Sequence, residues 1–404
     1  MPDFPILLLD PGNFTPYYDA NLGWALARLG AQVEWITSAY LFEPVPVPEG
    51  VRVRYFFFTL LNHPRVAAWA RSAPRLRRAL KGLSYPWEMQ RLTAELRSRP
   101  PGLIHVQWSL IPWLDGSLYR RWRRRGWRVV YTAHDVLPNA PPGWRGWLRG
   151  WEKALRRWLY RSADAVIVHS EANRQALLSL GVAPTRAHRV PMGDLGLFAV
   201  PPLPMEEARA RLGLDPQQPV ALFFGLIKPY KGLGFLLRSW PMALRRVPAA
   251  RLLVAGEPME PLAPYRRLIA ALGLEGRVTL HPRYIPSDLV AAYFCAADVV
   301  VLPYLDSSLS AVLLTAYDYA RPVVVTAVGG LPEAVEEGET GFVVPPGDAP
   351  ALAEALAILL ADRARAREMG QRARRLAEER HAWPAIARQT LALYEQIQCQ
   401  GAEP

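Results

Sequence analysis

The stretch from Asp298 to Asp348 constrains this chain more than any other: DVVVLPYLDSSLSAVLLTAYDYARPVVVTAVGGLPEAVEEGETGFVVPPGD. A strand over Asp298–Leu302 gives way to a polar loop at 303–309 and a helix over Ser310–Ala320. The strand Pro322–Thr326 follows, and the Gly329-Gly330 turn leads to Pro332 and Glu333 at the head of a short helix. Strand, loop and helix repeated in this order give parallel strands with helical crossovers. In such a sheet the loops after the strands and the helix N-termini line one crevice. Backbone N–H groups at Ser310, Ala311 and Val312 would point into it and suit an anion such as a diphosphate. An α/β unit with nothing bound has the same pattern.

At 404 residues, 51% of them hydrophobic, the chain has room for two domains with sizeable cores. Its two cysteines, Cys295 and Cys399, give neither a disulfide framework nor metal-ligand spacing, which fits a reducing compartment. The N-terminus MPDFPILLLDPG lacks a basic leader and reads as a first strand. No apolar run reaches the roughly 18 residues a membrane span needs. The formal net charge of +12 favours an anionic partner: a nucleotide, a lipid surface or nucleic acid.

The first half repeats the α/β rhythm. Ile6–Leu9 is a strand, a loop with Gly12 follows, and a helix from about Asp19 to Leu29 ends at Gly30. Gln32–Thr37 is the second strand. Gly12 allows close approach of a ligand, but without G-x-G-x-x-G a dinucleotide is not indicated. Residues 64–99 are helical and basic, which fits a solvated face or a surface toward anionic lipid. Strands at Leu103–Gln107 and Arg128–Thr132 follow, the latter leading to His134 and Asp135. A His-Asp pair just past a strand's carboxyl end sits where open sheets bind ligands. His134 is a candidate donor to a ligand hydroxyl or to developing charge, with Asp135 orienting it. A loop-anchoring histidine is the plainer alternative.

Between Trp144 and Arg161, positions 144, 147, 148, 151, 154, 155, 158 and 159 are apolar, one face of a helix. Arg145, Arg149, Lys153, Arg156 and Arg157 lie off that face. Tryptophans with arginines suit an anionic membrane surface, and a core-facing amphipathic helix suits the same pattern. No nucleic-acid module motif is present, so no nucleic-acid partner is expected.

A proline-rich linker at 195–204 marks the domain boundary. The second half restarts with the strand Val220–Phe224 and a loop from Gly225 to Gly232 that carries Lys228 and Lys231 before a helix. Two cations and a helix dipole there would converge on a diphosphate.

These residues resemble the retaining glycosyltransferases of family 4. That family carries P-[SY]-x-x-E-G-x-G-x7-G-x-P-V-V, then G-G-x-P-E, then G-x-x-G-x-x-V-x-P-G-D. The chain has Pro303-Tyr304, Arg321-Pro322-Val323-Val324, Gly329-Gly330-Leu331-Pro332-Glu333 and the run from Gly338 to Asp348. The family's Glu-x7-Glu pair falls on Ser307 and Thr315, and the middle instead resembles a branch with a Ser-Gly-Val-like helix start, here Ser310-Ala311-Val312. The family's G-R-x4-K-G is matched at Lys231-Gly232, with Leu226 in place of the arginine and Lys228 left to supply the second charge. His105, Gln107 and Trp108 resemble the H-x-Q-W segment of the same branch.

The resemblance implies an α/β chain of the GT-B fold, two Rossmann-like domains facing each other across a cleft. The acceptor-side domain would be 1–195, the nucleotide-sugar domain 205–380, and 381–404 a helix crossing back. It implies Gly12 and Asn13 near the donor phosphates, Gly225 and Gly256 below the nucleotide, Tyr284 and Ile285 at the base, and Glu333 at ribose or sugar hydroxyls. Ser307, Ser310, Ala311, Val312 and Thr315 complete the donor set, with His134, Lys231 and Lys228 as the catalytic group. The activity implied is metal-independent, retaining transfer from a nucleoside-diphosphate sugar to a carbohydrate or lipid-linked acceptor in cell-surface polysaccharide or glycolipid synthesis. No cofactor is implied beyond the donor, and the location is cytoplasmic, with peripheral contact at the inner face of the membrane. A GT-B pseudoenzyme assisting a partner transferase, or an enzyme such as a nucleotide-sugar epimerase, stays open beside it.

Overall fold

The computed structural model describes residues 4–63, 65–66, 74–137 and 146–399. The chain divides into two compact units, the first 1–191 with 383–404 and the second 192–382.

Among the described residues the first unit holds a seven-stranded sheet in the order β3-β2-β1-β4-β5-β6-β7, with every pairing parallel. Its strands are β1 (Ile6–Asp10), β2 (Val33–Ser38), β3 (Val51–Phe57), β4 (Leu103–Val106), β5 (Arg128–Thr132), β6 (Ala165–Val168) and β7 (Ala187–Arg189). β1 lies mid-sheet and is buried on both faces, which explains its unbroken apolar run. Edge strand β3 was not anticipated, because Arg52 and Arg54 interrupt its apolar residues. Arg54 is held there by Glu34 at 3.1 Å and Glu95 at 2.7 Å.

Among the described residues the helices of this unit include α1 (Pro16–Arg28), α2 (Pro74–Glu95), α3 (Pro112–Arg123), α4 (Gly146–Ser162), α5 (Glu171–Ser179) and, from the far end of the chain, α13 (Trp383–Cys399). α1 begins three residues earlier than expected, since Pro16 suits a first helical turn that needs no N–H donor. α13 packs along α1.

The second unit holds a six-stranded parallel sheet in the order β10-β9-β8-β11-β12-β13. These strands are β8 (Val220–Phe224), β9 (Arg251–Ala255), β10 (Val278–His281), β11 (Val299–Leu302), β12 (Val323–Thr326) and β13 (Gly341–Val344). Around them lie α6 (Met205–Arg211), α7 (Leu233–Arg246), α8 (Ala263–Ala271), α9 (Ser287–Ala296), α10 (Ala311–Asp318), α11 (Ala349–Ala361) and α12 (Arg363–Arg380). β13 and α8 were not anticipated. Pro332–Ala334 forms a single 3-10 turn rather than a helix. Asp298, buried at the start of β11, accepts from Val220 N–H (2.7 Å), Arg209 (2.7 Å) and Arg363 (2.9 Å), which locks α6 and α12 to the sheet edge. Each unit is a doubly wound, Rossmann-like fold, and the strand-end loops described next follow from that winding.

Candidate functional site

In the second unit the loops leaving the carboxyl ends of β8, β9, β11 and β12 are pinned to one another by backbone contacts. Gly225 N–H donates to Ala255 O (2.9 Å), and Ile227 N–H to Glu257 O (2.9 Å). Gly256 has φ 147°, and a Cβ there would lie 1.9 Å from Gly225 O, so only glycine fits. The chain then makes a 3-10 turn at Pro229–Lys231 and reaches Gly232, where a Cβ would lie 1.9 Å from Pro303 O. Leu305 N–H donates to Tyr230 O (2.7 Å), closing the lysine loop onto the loop after β11.

That closure sets Lys231. Its Nζ donates to Tyr304 Oη at 3.2 Å, and Tyr304 Oη lies 3.2 Å from Ser310 Oγ, the residue before α10. A Cβ on Gly225 would sit 3.4 Å from both Lys231 Nζ and Val312 Cγ2. The structure thus brings Gly225, Lys231, Ser310 and Val312 together where a helix N-terminus meets a fixed cation. Ala311 is exposed at the first turn of α10. Lys228 Nζ lies 5.8 Å from the Tyr230 ring centroid. Tyr304, which links Lys231 to Ser310, is given no site role by the sequence beyond the Pro303-Tyr304 motif match, although its place just past a strand's carboxyl end was a signal.

Ser307 and Thr315, on which the resemblance places the Glu-x7-Glu pair, behave differently. Thr315 is buried and its Oγ1 donates to Ala311 O at 2.9 Å, so its proton serves the helix. Ser307 is half-buried, and its Oγ is 3.5 Å from Leu309 O. The Gly329-Gly330 turn is seated against this loop. Gly330 N–H donates to Ser308 O (2.8 Å), and a Cβ on Gly329 would lie 1.7 Å from Ser307 O. Glu333 is exposed on the turn beyond. Tyr284 is half-buried and Ile285 buried, both past the end of β10.

In the first unit the loop after β1 is organised by Asp10. Its Oδ1 accepts from Gly12 N–H (3.1 Å) and Asn13 N–H (2.9 Å), and its Oδ2 from Phe14 N–H (2.7 Å) and Thr15 N–H (3.2 Å). The backbone donors of Gly12 and Asn13 are therefore turned to Asp10. A Cβ on Gly12 would lie 2.3 Å from the Phe14 ring, so the glycine makes room for that ring. Asn13 has φ 53° and donates through Nδ2 to Ser38 O (2.6 Å). Beside Asp10, burial and then the Asp10 charge push the Asp19 carboxyl well up.

Past β4, β5 and β6 lies a cluster of rings. His134 stacks on Trp108 (centroids 5.2 Å, 17°) and meets Tyr18 edge-on at 5.0 Å. Trp108 Nε1–H donates to Thr15 Oγ1 (3.0 Å). Asp135 is exposed and does not orient His134. The ring is held by Gln107, whose side-chain amide lies 3.1 Å from Nε2, and by His169, whose Nε2 lies 3.2 Å from Nδ1. The reason is local geometry: both partners leave adjacent strand ends, while Asp135 faces solvent. His105 sits beneath, 2.6 Å from Thr132 Oγ1 and 2.5 Å from Tyr394 Oη. Burial, then neighbouring histidines, push His134 well down and His105 down to about 3, and burial alone takes His169 to about 4. All three rings are neutral near pH 7. Tyr18, His169, Trp383 and Tyr394 were not singled out from sequence. His169 carried the same signal as His134, a histidine at a strand's carboxyl end.

The tryptophan-arginine helix is seen in part. Trp144 and Arg145 lie outside the described residues, as do the side chains of Trp147, Leu148 and Arg149. Leu159 is buried, and Trp158 carries the Arg120 guanidinium 3.7 Å above its ring. Trp151 is 65% exposed. Arg156, expected off the packed face, is half-buried beside Tyr160 and Tyr131. The face toward the fold is thus rotated from the one expected, taking in Leu159 and Tyr160 and leaving Trp151 and Ala154 outside. Among the described residues no helix is long and apolar enough to cross a membrane.

Comparison with known proteins agrees with this architecture. A family model for the glycosyl transferase 4-like domain matches residues 18–193, and one for glycosyl transferases group 1 matches 218–362. A D-inositol 3-phosphate glycosyltransferase of Kineococcus radiotolerans is 34% identical, over 98% of this chain and 93% of its own length. The enzyme of that name from Corynebacterium efficiens is 31% identical, over 88% and 89%. Among solved structures, a sucrose-phosphate synthase from Thermosynechococcus elongatus superposes with TM-score 0.75 at 27% identity, over 98% of this chain and 100% of that one. Anabaena HepE, solved in complex with UDP-glucose, superposes with TM-score 0.73 at 19% identity, over 97% and 100%, a likeness of fold. With both halves matched in order and relatives aligned over nearly their whole length, the chain belongs to the group 1, family 4-like glycosyltransferases of the GT-B fold.

Proposed function

We propose that this glycosyltransferase takes its sugar from a nucleoside-diphosphate donor bound at the strand ends of the second unit, and transfers it with retention of configuration. The observation that carries this reading is the Lys231–Tyr304–Ser310 line at the start of α10, with Gly225 beside it. As the glycosidic C–O bond breaks, negative charge builds on the diphosphate. A preorganised ammonium and helix N–H groups stabilise that charge without reorganising, the largest kind of contribution an enzyme site makes. Lys228 adds a second charge from the same loop. In the first unit, neutral His134 offers its Nε2 lone pair, beside Gln107, to a hydroxyl of the sugar or the acceptor. Attack on the face from which the diphosphate departs accounts for retention without a protein nucleophile.

The acceptor is a carbohydrate or lipid-linked molecule. Two relatives, a D-inositol 3-phosphate glycosyltransferase and a sucrose-phosphate synthase, carry a phosphorylated molecule in their names, so phosphorylated polyols and sugars belong among the acceptors tried. Exposed Trp151, Lys153 and Arg157 on α4 support peripheral contact with an anionic membrane. Vesicle binding that is unaffected by replacing Trp151 would remove that part.

The test is release of nucleoside diphosphate from a panel of nucleotide sugars, with and without acceptors of each class, followed by the anomeric configuration of the product. Release with one donor, lost in Lys231→Ala, and an unchanged anomer support the reading. An inverted product, or turnover indifferent to Lys231, overturns it.

A further inference from the structure

The strand-end loops occupy the carboxyl edge of the second unit's sheet. At the opposite edge, just before β8 and β12, lies an open pocket of about 420 Å³. Arg321, Arg363 and Arg367 line it, with Gln217, Gln371 and Glu206. None of these residues belongs to the donor set.

The pocket is built, and its charge is unbalanced. Arg321 is set by a tight turn in which Arg321 N–H donates to Ala316 O (2.8 Å) and Ala320 takes φ 52°. α12 closes directly over that turn, because a Cβ on Gly370 would lie 2.0 Å from Ala320 O. Arg321 Nη1 donates to Ala297 O (3.1 Å), yet its Nε is buried with no hydrogen-bond partner. Guanidiniums held together without matching counter-charge are costly, and an anion seated among them offsets that cost. Asp298 cannot serve all the neighbouring arginines, because Arg209 and Arg363 already occupy its two oxygens. Four guanidiniums, from Arg209, Arg321, Arg363 and Arg367, thus face two carboxylates, Asp298 and Glu206. Arg367 is exposed on α12, close enough to Arg321 for their charges to repel.

We propose that this pocket binds a small phosphate-bearing anion, gripped by Arg321, Arg363 and Arg367 and assisted by Gln217 and Gln371, at a site separate from the donor's. Guanidinium forks match the planar pairs of oxygens that phosphates present. The site can influence catalysis through α10, whose first turn meets Lys231's network and whose last turn leads into Ala320 and Arg321.

The experiment is calorimetric titration of the full chain with inorganic phosphate, pyrophosphate and glucose 6-phosphate. It uses the wild type, Lys231→Ala, Arg367→Glu and Arg321→Gln. Anion binding that survives Lys231→Ala and weakens at least tenfold in Arg367→Glu supports the proposal. The relative affinities of the three probes tell an inorganic ion from a sugar phosphate as occupant. Arg367→Glu changes an exposed side chain, so its melting temperature without anion should match the wild type, and it decides the matter if Arg321→Gln misfolds. Binding abolished by Lys231→Ala alone, binding indifferent to Arg367→Glu, or no binding of any probe overturns it.

Discussion

Nδ1 of His134 lies 3.2 Å from Nε2 of His169, and with both rings neutral only one of these nitrogens carries the hydrogen. His169 Nδ1 donates to Val190 O at 3.0 Å, so its Nε2 is the lone pair and His134 Nδ1–H is the donor. His134 Nε2 is then an acceptor. The ends of a glutamine amide are assigned by their partners, and this chain of bonds turns the NH2 end of Gln107 toward it. His169 therefore selects the tautomer of His134 from outside the reacting groups. His169→Phe should lower kcat by roughly tenfold, the worth of one orienting hydrogen bond of about 1.4 kcal/mol, with KM for the donor little changed. Histidine nitrogen NMR should show His134 exchanging between tautomers in the variant and holding one in the wild type.

Lys231→Ala should cost roughly a hundredfold or more in kcat, the scale of losing one preorganised charge at a leaving group. Tyr304→Phe keeps the lysine but loosens it, and should cost less. The melting temperature of Lys231→Ala should stay near the wild type, since Lys231 is half-buried and gives up one hydrogen bond to Tyr304, and Tyr304→Phe, which keeps its ring in the core, should melt only slightly lower. Steady-state kinetics beside thermal melts separate the two effects.

Asp318 accepts Leu195 N–H at 2.9 Å and is pushed up to about 7, chiefly by burial; nearby Asp194 is pushed up to about 6 for the same first reason. A carboxyl whose folded pKa lies above its unfolded value contributes stability that is full below about pH 4 and is lost as pH rises through 6 and 7. The neutral buried histidines of the first unit titrate in the opposite sense, so the informative quantity is a difference. Asp318→Asn should differ from the wild type less at pH 5 than at pH 8, where it should be clearly the more stable of the two, by urea unfolding. A gap that does not widen with pH would show that Asp318 is not the titrating group.

Gly256→Ala should destabilise the protein by roughly 2–4 kcal/mol, since it combines a forbidden φ with a Cβ 1.9 Å from a carbonyl oxygen. Gly338→Ala has the same sign of φ and open space, and should cost about 1 kcal/mol. Denaturant midpoints of the pair separate steric clash from backbone strain.

Much of the fold was readable because buried parallel strands announce themselves as short runs such as VVVL and VVVT between turn residues. β3 escaped because an edge strand with alternating arginines has the composition of a solvated loop. The placement of candidate site residues was readable where a backbone rule applied: Lys231 before a helix and His134 after a strand. Tyr304, His169 and Tyr394 were not, since their roles depend on contacts with residues far along the chain, as when Tyr394 meets His105. The orienting role assigned to Asp135 went astray because adjacency in sequence was taken for adjacency of side chains.

The chain quits the first unit after Pro191 and rejoins it at Trp383. The second unit is therefore a guest inserted into a host, and the two can be cut apart only unequally. Residues 192–382 form one continuous piece whose ends are already stitched, with Asp194 N–H on His381 O at 3.0 Å and His381 Nδ1–H on Met192 O at 2.7 Å. A fragment stopping at Pro191 would instead forfeit α13, exposing the flank of Tyr18 that Trp383 covers at 5.2 Å and orphaning His105. Cutting out the guest should leave its fold whole, whereas the host keeps α13 only if residue 191 is joined to residue 383.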